Sequence, residues 1–354
     1  MAEKVKAKKK PWQKLCIALG IVALVVVLFF GALIGYFKIP VAGYYKASEK
    51  AFKIPGTSDG FIAQGISYDD REDTFFITGY MKDKSASPVY LVKKSEGKKA
   101  MAKTLYLKAE DGSDYTGHCG GLTVHGDYIY VAGSSKHCLY VYSYAEAVAA
   151  EDRSSLVCKG EFKIESEDQS DYLGVAFVTV WGNELVAGEF YREQNYPTLD
   201  AHKRVTASGE TNTAMAVSFA FADGTESDGE TAFGLKKQPS KAISMPGLVQ
   251  GAYFENGKAV LSTSYAVAFS HLYEYNLEKA ATGETAKLLG KDLPLYSLDN
   301  SSLEKDYKIA PMSEEIVLVG GKTYVMCESA SNKYIFGKFT GAKWCYATDL
   351  NKIK

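Results

Sequence analysis

From Leu15 to Phe37 the chain runs without a charged residue; beyond Lys38, short alternations of apolar and polar positions persist to the C-terminus. At ~1.5 Å of rise per residue the first run makes a helix of about 34 Å, enough to cross a hydrocarbon core of about 30 Å. Trp12 stands just before it and Tyr36 near its end, where amphipathic rings favour a membrane interface. Lys4, Lys6, Lys8, Lys9, Lys10 and Lys14, offset by Glu3, give the preceding leader a net charge of +5. The excess of lysine predicts a cytoplasmic N-terminus (1–14), a single span (15–37) and an exported remainder. A cleaved signal peptide has a shorter apolar region and an A-x-A-like site. Here the nearest candidate is the poor Val41-Ala42-Gly43, so an uncleaved anchor is expected.

The alternations after the anchor repeat. "QGISYDDREDTFFITGY" (64–80) reads as strand, turn, strand, and so do "GGLTVHGDYIYVAGS" (120–134) and "AFVTVWGNELVAGEF" (176–190). "QGAYFENGKAVLSTSY" (250–265) and "EEIVLVGGKTYVMCES" (314–329) complete the series. The turns carry Gly or Asn where a positive φ is needed. "PVYLVKK", "HCLYVYSY", "TAMAVSFAF", "SHLYEYNL" and "KYIFGKF" follow as third strands. "KTLYLKA", "LVCKGEFKI", "AISMP", "LLGKDLPL" and "KWCYATDL" follow as fourth strands. Gln64, Gly120, Ala176, Gln250 and Glu314 hold the matching position at the start of each first strand. Four-stranded units repeated radially predict an all-β, five-bladed β-propeller over residues 56–354. Residues 38–55 are a linker and closing strand, with the strand taken from 44–55. A pair of β-sandwiches would need a composition break near the middle, and none is seen. One short helix is expected within 144–153, "YAEAVAAEDR".

Composition narrows the function classes. The whole chain carries −1, so the part after the leader is mildly acidic at −6, which argues against nucleic acid as a partner. Five of the six cysteines follow the anchor, an odd number at spacings that match no metal motif. They read as small buried side chains, with Cys119–Cys138 the most plausible bridge. The chain has no G-x-S-x-G elbow, P-loop, H-E-x-x-H or EF-hand loop. "GTESDGE" (224–230) reads as an exposed turn.

"GFIAQGISYD…TFFITGYMKDKSAS…YLV", "YTGHCGGLTVHGDYIYVA", "GEFYREQNYPT" and "APMSEE…VMCESASNKY" resemble uncharacterised, membrane-anchored propeller proteins of Gram-positive bacteria over residues 54–350. They also echo, more weakly, the YVTN-type and gluconolactonase-like propellers. The resemblance implies the fold and a bacterial cell-membrane location, and no activity.

In such a fold the starts of the first strands and the turns after the second strands share one face. Gln64, His118, Asp171, Tyr172, Gln250 and Glu314 are expected around one channel mouth, together with Tyr191 and Arg192 of the long "GEFYREQNYPTLDAH" loop. The ligand-binding candidates are His118, Gln250, Glu314, Tyr191, Arg192 and Gln64. Glu314, Asp171 and His118 are the candidates for acid, base or metal-binding chemistry. Bound Ca²⁺ or Zn²⁺ is compatible with these groups, although no ligand motif is present. Against each stands a structural reading. His118 and Gln64 could pin neighbouring blades, and Glu314 and Glu315 could be one carboxylate held by a loop amide and one solvated. The long loop could cover the rim. The leading expectation is a binding propeller for a polar small molecule, glycan or partner protein. The alternatives are an exported carbohydrate- or lactone-acting hydrolase or lyase, and an assembly scaffold.

Overall fold

The computed structural model describes residues 10–222 and 229–353. The leader lysines Lys4, Lys6, Lys8 and Lys9 and most of the 224–230 turn lie outside the described residues. Pro11–Lys38 is one α-helix whose side chains, Phe37 apart, are not buried. Among the described residues it is the one helix long and apolar enough to cross a membrane.

The rest is mostly strand, in a β-propeller-like arrangement. The first sheet runs outward through Phe61–Asp69, Thr74–Met81, Pro88–Lys93 and Ala102–Lys108. The second uses Leu122–His125, Tyr128–Gly133, Cys138–Ser143 and Gly160–Lys163. The third begins with Val175–Trp181, Glu184–Glu189, Ala214–Phe221 and Leu235–Met245. The fourth has Val249–Glu255, Lys258–Thr263, Ser270–Asn276 and Leu303–Ile309. The last sheet is composite. Its strands Ser313–Val319, Lys322–Cys327 and Trp344–Thr348 are completed by Ser48–Lys53 from the other end of the chain. The innermost strands pack against one another in this order, and the last returns to the first.

The expected count of five blades is therefore corrected to four that draw their four core strands from their own stretch of chain. The remaining sheet is composite: Ser48–Lys53, within the 44–55 stretch, pairs with Trp344–Thr348. Two of the expected strands also fall elsewhere. "LLGKDLPL" does not end the fourth sheet: Ala281–Leu288 and Lys291–Ser297 form a hairpin, and Lys291–Ser297 pairs in parallel with the outer strand of the third. Ser154–Val157 does the same for the first sheet. In both cases the connection before one sheet's outer strand covers the open edge of the preceding sheet, which removes an unpaired edge. "KYIFGKF" is not a strand. Gly337 lies so close to Ser329 that a Cβ would stand 1.5 Å from its carbonyl oxygen, and the segment turns into a short helix, Gly337–Thr340. Trp344–Thr348 takes the vacated place.

The inner strands share one irregularity. Each of four has a β-bulge at the repeated position: between Ala63 and Gly65, Val175 and Phe177, Val249 and Gly251, and Ser313 and Ile316. The bulged residues are Gln64, Ala176, Gln250 and the pair Glu314–Glu315. An extra residue re-aims side chains and tightens the twist. The expected helix within 144–153 is present as Tyr144–Ala149, capped by the Ser143 hydroxyl accepting from the Glu146 N–H. All cysteines are free thiols, five of them buried, and the Cys119–Cys138 bridge is not formed.

Candidate functional site

The axis is occupied by Glu315, which is fully buried. Its Oε2 accepts from the Ile66 N–H at 2.8 Å and the Leu122 N–H at 3.0 Å. Its Oε1 accepts from the Val178 N–H at 3.3 Å. These three donors sit two residues beyond repeated positions 64, 120 and 176, so one carboxylate gathers equivalent amides from three sheets. The strands close tightly around it: a Cβ on Gly251 would lie 2.4 Å from the Glu315 Cα, and one on Gly121 would lie 2.5 Å from Oε1. Burial pushes the Glu315 pKa up, against the pull of the three amides.

Above this plug lies a polar network at the start of the first strands. Gln64 is buried at its bulge. Its Oε1 bonds the His118 Nε2, and its Nε2 donates to the Ala63 carbonyl at 2.9 Å and to Glu328 at 3.4 Å. The Tyr334 hydroxyl donates to the same Glu328 oxygen at 3.0 Å. The His118 ring stacks on Tyr80, with centroids 4.6 Å apart, and Lys333 donates to the Tyr80 hydroxyl at 2.8 Å. Asn332 ties the Lys333–Tyr334 turn to the first sheet, its N–H donating to the Thr57 carbonyl at 2.9 Å and its amide to that of Ser58 at 2.6 Å. His118 and Lys333 reach solvent; Gln64 and Glu328 lie behind them.

Glu314 lies deeper, 1% exposed, with Oε2 bonded to no group of the protein. Burial, with Glu328 and Glu315 nearby, pushes its pKa well above the carboxylate range. Burial likewise raises Glu328. The expectation that one of Glu314 and Glu315 is solvated is overturned: both are buried, and it is Glu315 that the amides hold. His118 is kept below the ordinary imidazole value by the protein around it and by Lys333.

Asp171 belongs to a second cluster. Its Oδ1 lies 2.9 Å from the His202 Nε2, and the His202 Nδ1 lies 2.9 Å from the Glu189 Oε2. Asp171 Oδ2 accepts from the Leu289 N–H at 2.7 Å, and Glu189 Oε2 also accepts from the Met215 N–H at 3.0 Å. Burial acts to lower the His202 pKa, but the two carboxylates outweigh it and push the value up to about 9. Both imidazole nitrogens and three carboxylate oxygens are committed, so the cluster clamps the long loop to the third sheet rather than offering a free base. Tyr172 meets the His137 ring at a tilt, at 3.9 Å between centroids. Arg192 lies over the Tyr265 ring at 4.0 Å and donates to Gln194 and Asn195. Tyr191 sits beneath Lys203. Gln250 stands half-buried at its bulge. The structure thus joins Gln64 and His118 directly, with Glu314 behind Glu328. It gives Asp171, Tyr191 and Arg192 partners of their own.

Tyr80, Glu328, Lys333 and Tyr334 complete the network without having been singled out. The sequence signal for Tyr80, Glu328 and Lys333 was their place after second strands, on this face, whereas Tyr334 fell within the expected strand "KYIFGKF". A cleft of about 250 Å³ lies elsewhere, lined by Glu72, Phe76, Lys93, Met101 and Lys103 among others. Its polar groups are spoken for: Lys93 pairs with Glu72, and Lys103 donates to the carbonyls of Ala147, Val148 and Ala150. Among the described residues no cluster of three His, Cys, Asp or Glu side chains is arranged to hold a metal ion.

No family model and no curated protein matches this chain, which leaves the resemblance to anchored Gram-positive propellers without support. Solved structures do resemble it in fold. Glutaminyl cyclase of Myxococcus xanthus is 10% identical, covering 85% of this chain and 97% of its own, with a TM-score of 0.39. A candidate glucose-dehydrogenase-type oxidoreductase of Thermus thermophilus is 9% identical over 81% and 96%, with a TM-score of 0.40. A candidate 6-phosphogluconolactonase of Bacteroides uniformis is 9% identical over 75% and 78%, with a TM-score of 0.36. Likeness at this level concerns the fold and carries no activity.

Proposed function

We propose that the chain is a membrane-anchored propeller that binds a hydroxyl-rich small molecule, such as a saccharide, at the mouth built by Gln64, His118, Glu328, Lys333 and Tyr334. The observation that carries this reading is the hydrogen-bonded chain from His118 through Gln64 and Glu328 to Tyr334, with Tyr80 and Lys333 beside it. Amide, imidazole and phenol each donate and accept, which suits hydroxyl groups. The Tyr80–His118 stack offers a flat face for a sugar ring. Binding is favoured over hydrolysis because Glu314, whose Oε2 has no protein partner, is sealed from solvent and cannot reach a substrate proton. The remaining elements of the reading are the lysine-rich leader on the cytoplasmic side, the propeller outside, and the helix Pro11–Lys38 as the span.

The test is calorimetric titration of the full chain, in nanodiscs, with a panel of mono- and disaccharides. Binding by at least one, lost in His118→Ala while the melting temperature holds, supports the reading. If no saccharide binds, or if His118→Ala lowers stability and leaves binding intact, the mouth is a blade-pinning network and the reading falls.

A further inference from the structure

The anchor helix does not leave the propeller freely. Its second half packs on two turns of the mouth face. Phe30 stacks on Phe339 at 5.8 Å between centroids, Phe37 meets Phe336 at 6.2 Å, and Tyr36 meets Phe269 at 6.2 Å. Phe30 stands seven residues before the end of the uncharged run, about 10 Å along the helix. The turn that holds Phe339 therefore lies beside a part of the helix that is apolar on all sides.

Around this contact the mouth face exposes large apolar side chains. Ile335 is 64% exposed, Phe336 43% and Val267 48%. They come from the connection between second and third strands in two neighbouring sheets, the fourth and the last. Cations ring the patch. Lys308 sits 4.3 Å over the Phe269 ring, Lys338 and Lys333 are exposed, and Lys38 lies over Tyr45 at 5.5 Å. An apolar patch with aromatic residues, edged by lysines, is the composition of a surface seated in a bilayer interface. Scattered apolar residues on a soluble face would need no explanation, but a cluster continuous with a membrane-spanning helix does.

We infer that the 334–340 turn, with the 265–269 turn beside it, forms a second membrane contact that dips into the leaflet alongside the anchor. This rests on the reading of Pro11–Lys38 as a membrane span. The occupant is the lipid bilayer itself, because the patch shares side-chain contacts with the helix that would cross it. The consequence concerns the mouth. Lys333 and Tyr334, which bond Tyr80 and Glu328, directly precede Ile335 and Phe336 in the chain. With that turn in the leaflet, the mouth opens at headgroup level, toward ligands presented at the membrane surface.

The experiment places a photoreactive benzophenone amino acid in the full chain, reconstituted in lipid nanodiscs, at one position at a time: Phe29, Phe336 or Met101. Phe29 lies in the uncharged run, and Met101, 84% exposed, lies away from the patch beyond the third strand of the first sheet. After irradiation, lipid adducts are counted by mass spectrometry. Adducts at Phe29 and Phe336 with at least tenfold fewer at Met101 are expected. Adducts at Phe29 but not at Phe336 overturn the second contact and leave the anchor standing. Equal adducts at Phe336 and Met101 reduce it to non-specific adsorption and overturn it too. Absence of adducts at Phe29 overturns the anchor, and this inference with it.

Discussion

Removing the Glu315 carboxylate should open the ring from its centre. In Glu315→Ala the amides of Ile66, Leu122 and Val178 lose their acceptor inside a space sealed by the inner strands. A buried donor left unpaired costs about 1–3 kcal/mol, so three cost roughly 3–9 kcal/mol before any water enters. Domains of ordinary stability hold about 5–15 kcal/mol in total, so the variant should be marginal or unfolded. Glu315→Gln makes the experiment graded. Its amide oxygen can replace Oε2 and keep the two shorter bonds, to Ile66 and Leu122. The NH₂ then faces the Val178 amide, and one lost bond predicts about 1–3 kcal/mol. Because Gln brings no charge to desolvate, its loss should fall toward the lower end. Urea unfolding of the full chain in detergent, followed by the fluorescence of Trp181 and Trp344, measures both. The order wild type, Gln, Ala is expected. A Glu315→Ala variant within about 1 kcal/mol of wild type would refute the axial pin.

Other variants probe neighbouring parts. The clamp at His202 stabilises the fold as an imidazolium, fully below about pH 6.5, and that stabilisation, on the order of 3 kcal/mol, fades as pH rises to about 9; His202→Gln should flatten this slope in pH-dependent urea unfolding. Glu314 has its pKa raised, so its burial penalty acts above its unfolded value of 4.5 and vanishes below it; Glu314→Gln should equal or exceed wild-type stability at pH 7 and lose the advantage as pH falls toward 4. Gly251→Ala places a Cβ 2.4 Å from the Glu315 Cα, and backbone cannot yield cheaply there; circular dichroism should show loss of the folded ring.

Much of the ring was legible because its signal is local. The two-strand pairs at 64, 120, 176, 250 and 314 are short-range alternations around Gly and Asn turns. Asn256 and Gly257 have φ values of 53° and 74°, and Gly320 and Gly321 of 58° and 75°, as tight hairpins need. The outer strands were less legible because partnership there is decided across sheets. "LLGKDLPL" has the pattern of a strand, and nothing within it says which sheet it joins. "KYIFGKF" alternates too, but its Phe336 and Phe339 answer to the anchor helix rather than to a ladder. At the site, the repeat register located the bulges without revealing that they were bulges. It could not distinguish Glu314 from Glu315, since a one-residue difference decides which carboxylate meets the amides. Asp171, Glu189 and His202 are distant in sequence, and only folding shows that they saturate one another.

The central claim is that the mouth around His118 receives a ligand while the rest of the ring is structural. Imidazole NMR resonances of the full chain test it most directly, because the chain has five histidines. His118 should titrate below the ordinary imidazole value and His202 above it. On addition of a saccharide, the His118 signal should move while that of His202 stays fixed. A saccharide that binds without moving the His118 signal, or one that shifts both signals alike, would contradict the account.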